Sequence, residues 1–141
     1  MTSRSRQWVL TSDPSVIEGV VEDIVKLCTQ SGFSSRQCRY NVAIAVTEAL
    51  SNAMLRGNRS DVSKQVELAI EINEQRLLVE VADEGDGFDL SALCQGPHER
   101  DWLERECGRG VFLMRALMDH IETSRSAARC GHRLRLVLYR T

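Results

Sequence analysis

The chain has no apolar run of membrane-spanning length, no tract of basic residues, no C-x-x-C pair and no internal repeat. Each absence removes a class of protein. Without roughly 18 consecutive apolar residues there is no transmembrane helix, and the N-terminus lacks the apolar core of a signal peptide, so a soluble cytoplasmic protein is expected. A formal net charge of −2 argues against direct nucleic-acid binding as the main task. Arginines do gather toward the C-terminus (Arg125, Arg129, Arg133, Arg135, Arg140), but they alternate with apolar residues and read as the wet side of strands. The five cysteines (Cys28, Cys38, Cys94, Cys107, Cys130) are odd in number and scattered, which fits reduced thiols better than a disulfide framework or a zinc site. His98 and His120 have no partner at ligand spacing and read as surface or core residues rather than metal ligands. With 43% hydrophobic and 27% charged residues, the composition is that of a globular chain. Its 141 residues suffice for one domain, 1–141, with its own core.

What is present is a change of period along the chain. Residues Met1–Arg6 are polar and expected to fray, and Gln7–Leu10 is a short strand candidate. Ser12 or Asp13 can cap a helix with Pro14 in its first turn, running through Val20, Ile24 and Cys28 until Ser31-Gly32. Ser34 or Ser35 then opens a long amphipathic helix whose main stretch is Tyr40 to Asn58. Val42, Val46, Ala49, Leu50 and Ala53 form its apolar stripe; Ile44, Glu48, Asn52 and Arg56, four apart, form a mostly polar one. Gly57-Asn58 is expected to stop it, glycine supplying a left-handed residue. Val66 to Ile72 and Leu77 to Val81 alternate in period two across an Asn73-Glu74-Gln75 turn and predict an antiparallel hairpin. A charged stretch of about 89–107 reads as a lid loop. After it come a helix from Val111 to Met118, a strand around Ile121 and Thr123, a turn, and a last strand through Leu134, Leu136 and Leu138.

Three segments can carry chemistry. Glu48 and Asn52 stack a carboxylate and a carboxamide one helical turn apart. Asp83-Glu84-Gly85-Asp86-Gly87-Phe88 leaves the end of a strand; its glycines let backbone pass close to a ligand, and Asp83 can accept hydrogen bonds from an exocyclic amine. Gly108-Arg109-Gly110 opens a helix, where free backbone amides suit phosphate and Arg109 can add a charge-assisted contact. Singly, each has a bland alternative: a solvent face, an acidic turn, a helix entry that needs glycine. No Walker or six-residue Rossmann signature is present.

In this order the three segments resemble the GHKL-type ATP-binding domain (Bergerat fold) of gyrase, histidine kinases and MutL, over roughly Ser35 to Tyr139. The T-E-A-L-S-N-A, D-E-G-D-G-F-D and G-R-G-V-F-L-M forms look closest to its anti-sigma factor serine kinase branch. The resemblance implies an α/β two-layer sandwich (α+β). A mixed, mainly antiparallel sheet would be covered on one face by three helices, with an ATP lid at about 89–107 between the glycine boxes. It implies that Asn52 binds Mg²⁺ and that Glu48 is the general base toward a serine hydroxyl. Asp83 would read the adenine amino group, with Gly85 and Gly87 at the adenine pocket and lid hinge. Gly108 and Gly110 would present amides to the phosphates, Arg109 assisting. It further implies ATP and Mg²⁺ as cofactors, an anti-sigma factor antagonist as protein substrate, a sigma factor as a second partner, and a homodimer.

Two positions depart from the branch. Arg56 stands where it usually has histidine, and Gly131-His132 stands where it often has Gly-Thr. Neither is a metal or base position. Two other functions use the same motifs: a nucleotide-gated switch that holds or releases a partner without phosphotransfer, and a histidine-kinase catalytic domain acting on a separate phosphoacceptor.

Overall fold

The period-two segments become one five-stranded sheet in a computed structural model that describes residues 3–85, 106–126 and 131–141. Its strands are β1 (Arg4–Thr11), β2 (Gln65–Ile72), β3 (Arg76–Asp83), β4 (His120–Ser126) and β5 (Gly131–Tyr139), in the order β1-β2-β3-β5-β4. Every pairing is antiparallel. Register stacks the apolar positions in rows: Ile70 opposes Val79, which opposes Leu136, and Leu68 opposes Val81, which opposes Leu134. Each of these side chains is buried, and burying a side chain of this size contributes about 1.5–3 kcal/mol. The opposite face is wet. There Glu80 pairs with Arg135 at 3.0 Å and Arg133 at 3.4 Å, and Arg135 reaches Glu122 at 3.4 Å, as the alternating arginines predict.

Helices cover the apolar face. A 3-10 turn, Pro14–Val16, capped by Asp13 accepting from the Ser15 amide at 3.0 Å, leads into α1 (Ile17–Gln30). Gly32 closes α1 with a φ of 89°, a conformation open to glycine at little cost. The long helix is capped by Ser34, whose hydroxyl accepts from the Gln37 amide at 3.1 Å. It runs as a π-helical Gln37–Val42, α2 (Ala43–Asn52) and a second π-helical stretch, Ala53–Gly57. The last described helix, α3 (Glu106–Leu117), packs on α2, and Asn41 donates to the Leu117 carbonyl at its C-terminus at 2.7 Å. Ile24, Val46, Leu50, Met54 and Met114 meet the sheet in one core cluster.

Two expectations change. The polar N-terminal residues from Arg4 onward do not fray: β1 pairs with β2 from Arg4 through Thr11. Arg4 donates to Gln30 at 2.8 Å, and the Arg6 guanidinium lies 4.9 Å over the Trp8 ring and 3.8 Å from Asp23. An eight-residue partner strand supplies a ladder for polar residues as readily as for apolar ones. Gly57 is not left-handed either. The residues with positive φ after the helix are Arg59 (53°) and Ser60 (59°), so the chain reverses two residues later than expected.

Candidate functional site

The helix that carries Glu48 and Asn52 borders two corners, one against α3 and one against the end of β3. At the first, a Cβ on Gly110 would lie 2.9 Å from Glu48 Oε2 and 3.0 Å from Asn52 Nδ2. Glycine at 110 is therefore what lets α3 approach these two polar side chains so closely. Residues 106 to 110 are already helical, earlier than the sequence suggests, so Gly108-Arg109-Gly110 lie within α3 rather than ahead of it. Gly110 gives clearance to the Glu48 and Asn52 side chains.

Asn52 is only 8% exposed, and among the described residues its Nδ2 has no hydrogen-bond partner. A buried donor left unpaired costs about 1–3 kcal/mol, so such a group in a folded protein needs a reason. A ligand that enters between α2 and α3 is one. The carboxamide also offers a hard oxygen, the donor type Mg²⁺ takes, and Mg²⁺ usually needs just one or two protein ligands beside phosphates and water. Among the described residues no three His, Cys, Asp or Glu side chains converge on a metal-sized site. The donor set fits a metal shared with phosphates rather than one caged by protein.

At the second corner Asp83 ends β3 and is 3% exposed. Its Oδ1 accepts from the Gly85 amide at 2.8 Å; its Oδ2 lies 3.8 Å from Nδ1 of His132, its register partner on β5. Three glycines make this corner possible. A Cβ on Gly57 would fall 2.3 Å from Asp83 Oδ2, one on Gly85 would fall 1.9 Å from the Gly57 carbonyl oxygen, and one on Gly131 would fall 1.9 Å from the Asp83 carbonyl oxygen. Gly57 thus serves close approach to Asp83, not helix termination.

Asn58, which the sequence presents only as part of the helix stop, holds this corner together. It is fully buried. Its Nδ2 donates to Ser12 Oγ at 2.9 Å and to the Gln65 carbonyl at 3.0 Å, and its Oδ1 accepts from the Glu84 amide at 2.8 Å. The end of β1, the start of β2 and the exit of β3 are pinned by one carboxamide. Asparagine directly after a helix signals a turn in any single sequence, so nothing there announced a buried bracket. Arg56 parts from the stripe it was assigned to. After Asn52 the helix widens to π geometry, so four residues no longer complete a turn, and Arg56 is exposed while Asn52 is buried. Gly87, and the predicted lid as far as residue 105 with His98 and Trp102, lie outside the described residues.

The sheet order, the covering helices and this pair of corners define an ATPase-type domain. Residues 10–138 match the histidine kinase-like ATPase domain family, and the chain belongs to it. Among its relatives are proteins named serine-protein kinase RsbW. The one from Bacillus subtilis (strain 168) is 39% identical over 109 residues, covering 70% of this chain and 67% of its own. That from Bacillus licheniformis is 36% identical over 129 residues, covering 84% and 78%. That from Oceanobacillus iheyensis is 33% identical over 101 residues, and this chain spans 63% of its length. Among the described residues no helix is long and apolar enough to cross a membrane.

Proposed function

We propose that this chain is a serine/threonine protein kinase that uses ATP and Mg²⁺. Its substrate is an anti-sigma factor antagonist, and the same protein sequesters an RNA polymerase sigma factor. On this reading the chain is one cytoplasmic domain over 1–141, working as a homodimer. The observation that carries the reading is the approach of Gly110 to both Glu48 and Asn52, a carboxylate and a buried carboxamide with an unpaired Nδ2 on one helix face.

Phosphoryl transfer needs positioning and charge neutralisation more than covalent help from the protein. Glu48 takes the proton from the substrate serine hydroxyl as its oxygen bonds to the γ-phosphorus and the bond to the leaving ADP breaks. Asn52 would hold Mg²⁺, which would supply charge neutralisation for the phosphates. The backbone amides of Gly108 and Gly110 would face the phosphate chain, with Arg109 adding a charge-assisted contact. Asp83 Oδ2 accepts from the adenine amino group, and Gly85, with Gly87 and the lid, lets the backbone pass beside the base.

The test is incubation with ATP, Mg²⁺ and the cognate antagonist, found by mass spectrometry of co-purified proteins, followed by detection of phosphoserine. Glu48→Ala should slow transfer by about 10²–10⁴-fold, the usual weight of a general base, while keeping the nucleotide-dependent rise in melting temperature. If wild type and Glu48→Ala are equally inert while both bind ATP, the kinase reading fails and the nucleotide-gated switch replaces it.

A further inference from the structure

His132 is a buried titratable group, 6% exposed, that the proposed chemistry leaves unused. It sits in the sheet row of Asp83, with its Nδ1 3.8 Å from Asp83 Oδ2. Asp83 has little freedom to respond. Its Oδ1 is held by the Gly85 amide, its Oδ2 is pressed against Gly57, and Gly131 runs tight under its own backbone. With Oδ1 taken by the Gly85 amide, Oδ2 is the oxygen that both His132 and a ligand's amine would approach. Among the described residues, the other charged group beside this imidazole is Arg125, its exposed register partner on β4.

We propose that His132 is a positioning residue for Asp83 that makes capture of the adenine base depend on its protonation. This rests on the reading that Asp83 accepts from the base. With His132 neutral, Asp83 Oδ2 is open to the exocyclic amine. As imidazolium, His132 forms an ion pair with that oxygen and competes with the amine for it. Adenine nucleotides bind more weakly as pH falls through the range where histidines titrate, whereas a base without the amine feels no such competition.

The experiment is calorimetric titration with ADP and with inosine diphosphate at about pH 8 and about pH 6, either side of the usual imidazole range. Wild type should lose about tenfold in ADP affinity at the lower pH, the weight of one redirected hydrogen bond. Inosine diphosphate should show far less change. His132→Asn, which keeps a polar atom near the Nδ1 position but cannot gain a proton, and His132→Thr should both flatten the ADP profile. Melting of the ligand-free variants checks that each folds, and either variant suffices. If folded variants keep the wild-type pH dependence, or inosine diphosphate shares it, the role of His132 is wrong while the nucleotide site stands. If wild type binds neither nucleotide at either pH, the assignment of Asp83 to a base fails first and takes this inference with it.

Discussion

Replacing Asn58 with alanine tests whether a side chain outside the expected motifs holds the site in shape. The substitution removes two donor contacts and one acceptor contact at a fully buried position. The Ser12 hydroxyl is not stranded, because it still donates to the Lys64 carbonyl at 2.9 Å. The Glu84 amide and the Gln65 carbonyl do lose this partner. At about 1–3 kcal/mol for each backbone group left unpaired, and allowing a water to satisfy part of the loss, the variant should be about 2–4 kcal/mol less stable. For a domain of this size that is a fall in melting temperature of roughly 10 °C. Urea unfolding followed by circular dichroism should show the midpoint falling at unchanged slope, since the folded state stays compact. Asn58→Asp separates the contributions: it keeps the acceptor for Glu84 but turns a carboxylate toward the Gln65 carbonyl, so it too should lose stability, and more at neutral than at acid pH. A loss below about 1 kcal/mol for Asn58→Ala would refute the bracket, because it would mean solvent satisfies all of these groups equally well.

Gly110→Ala should leave stability within about 1 kcal/mol of wild type, because better helix propensity offsets the displacement of flexible side-chain ends. The same Cβ, 2.9 Å from Glu48 Oε2, should lower phosphoserine formation by about 100-fold through misplacement of the carboxylate. Unchanged transfer would remove this corner from the reaction. The Cys28 thiol is pushed up from 9.0 to about 12, first by burial and then by the neighbouring Cys38. Its neutral form is favoured in the folded state, so the stability it contributes is present below pH 9.0 and is lost as pH rises toward about 12. Native protein should therefore leave Cys28 unlabelled by iodoacetamide at about pH 8, with labelling appearing on unfolding. Rapid labelling of the native chain would contradict the burial.

Much of this protein was legible before any fold was known, because its signals are local. Period-two alternation from Val66 to Val81 and from Leu134 to Leu138 needs no neighbour to be read, and the structure turns it into the middle of the sheet. The four-residue spacing of Glu48 and Asn52 put both on one face for the same reason. Caps at Asp13, Ser34 and Gly32 lie where local hydrogen bonding and φ preference predict. The family was legible too, since its three motifs keep their order along the chain.

The remainder depends on contacts between residues far apart in sequence. Gly57 looks like a helix stop until Asp83, 26 positions later, arrives against its Cα. Gly110 looks like no more than a helix-entry glycine until α3 brings it up to Glu48 and Asn52. Arg56 leaves the polar stripe because the helix widens after Asn52, a change of pitch that residue spacing does not record. The amino-acid sequence by itself determined most of the helices and strands and the family, since these follow from local periodicity and from motifs kept in order along the chain. The tertiary structure decided why the glycines are glycines, that Asn58 is a bracket, and that a buried histidine lies beside Asp83, since each is a matter of what the folded chain brings within a few ångströms.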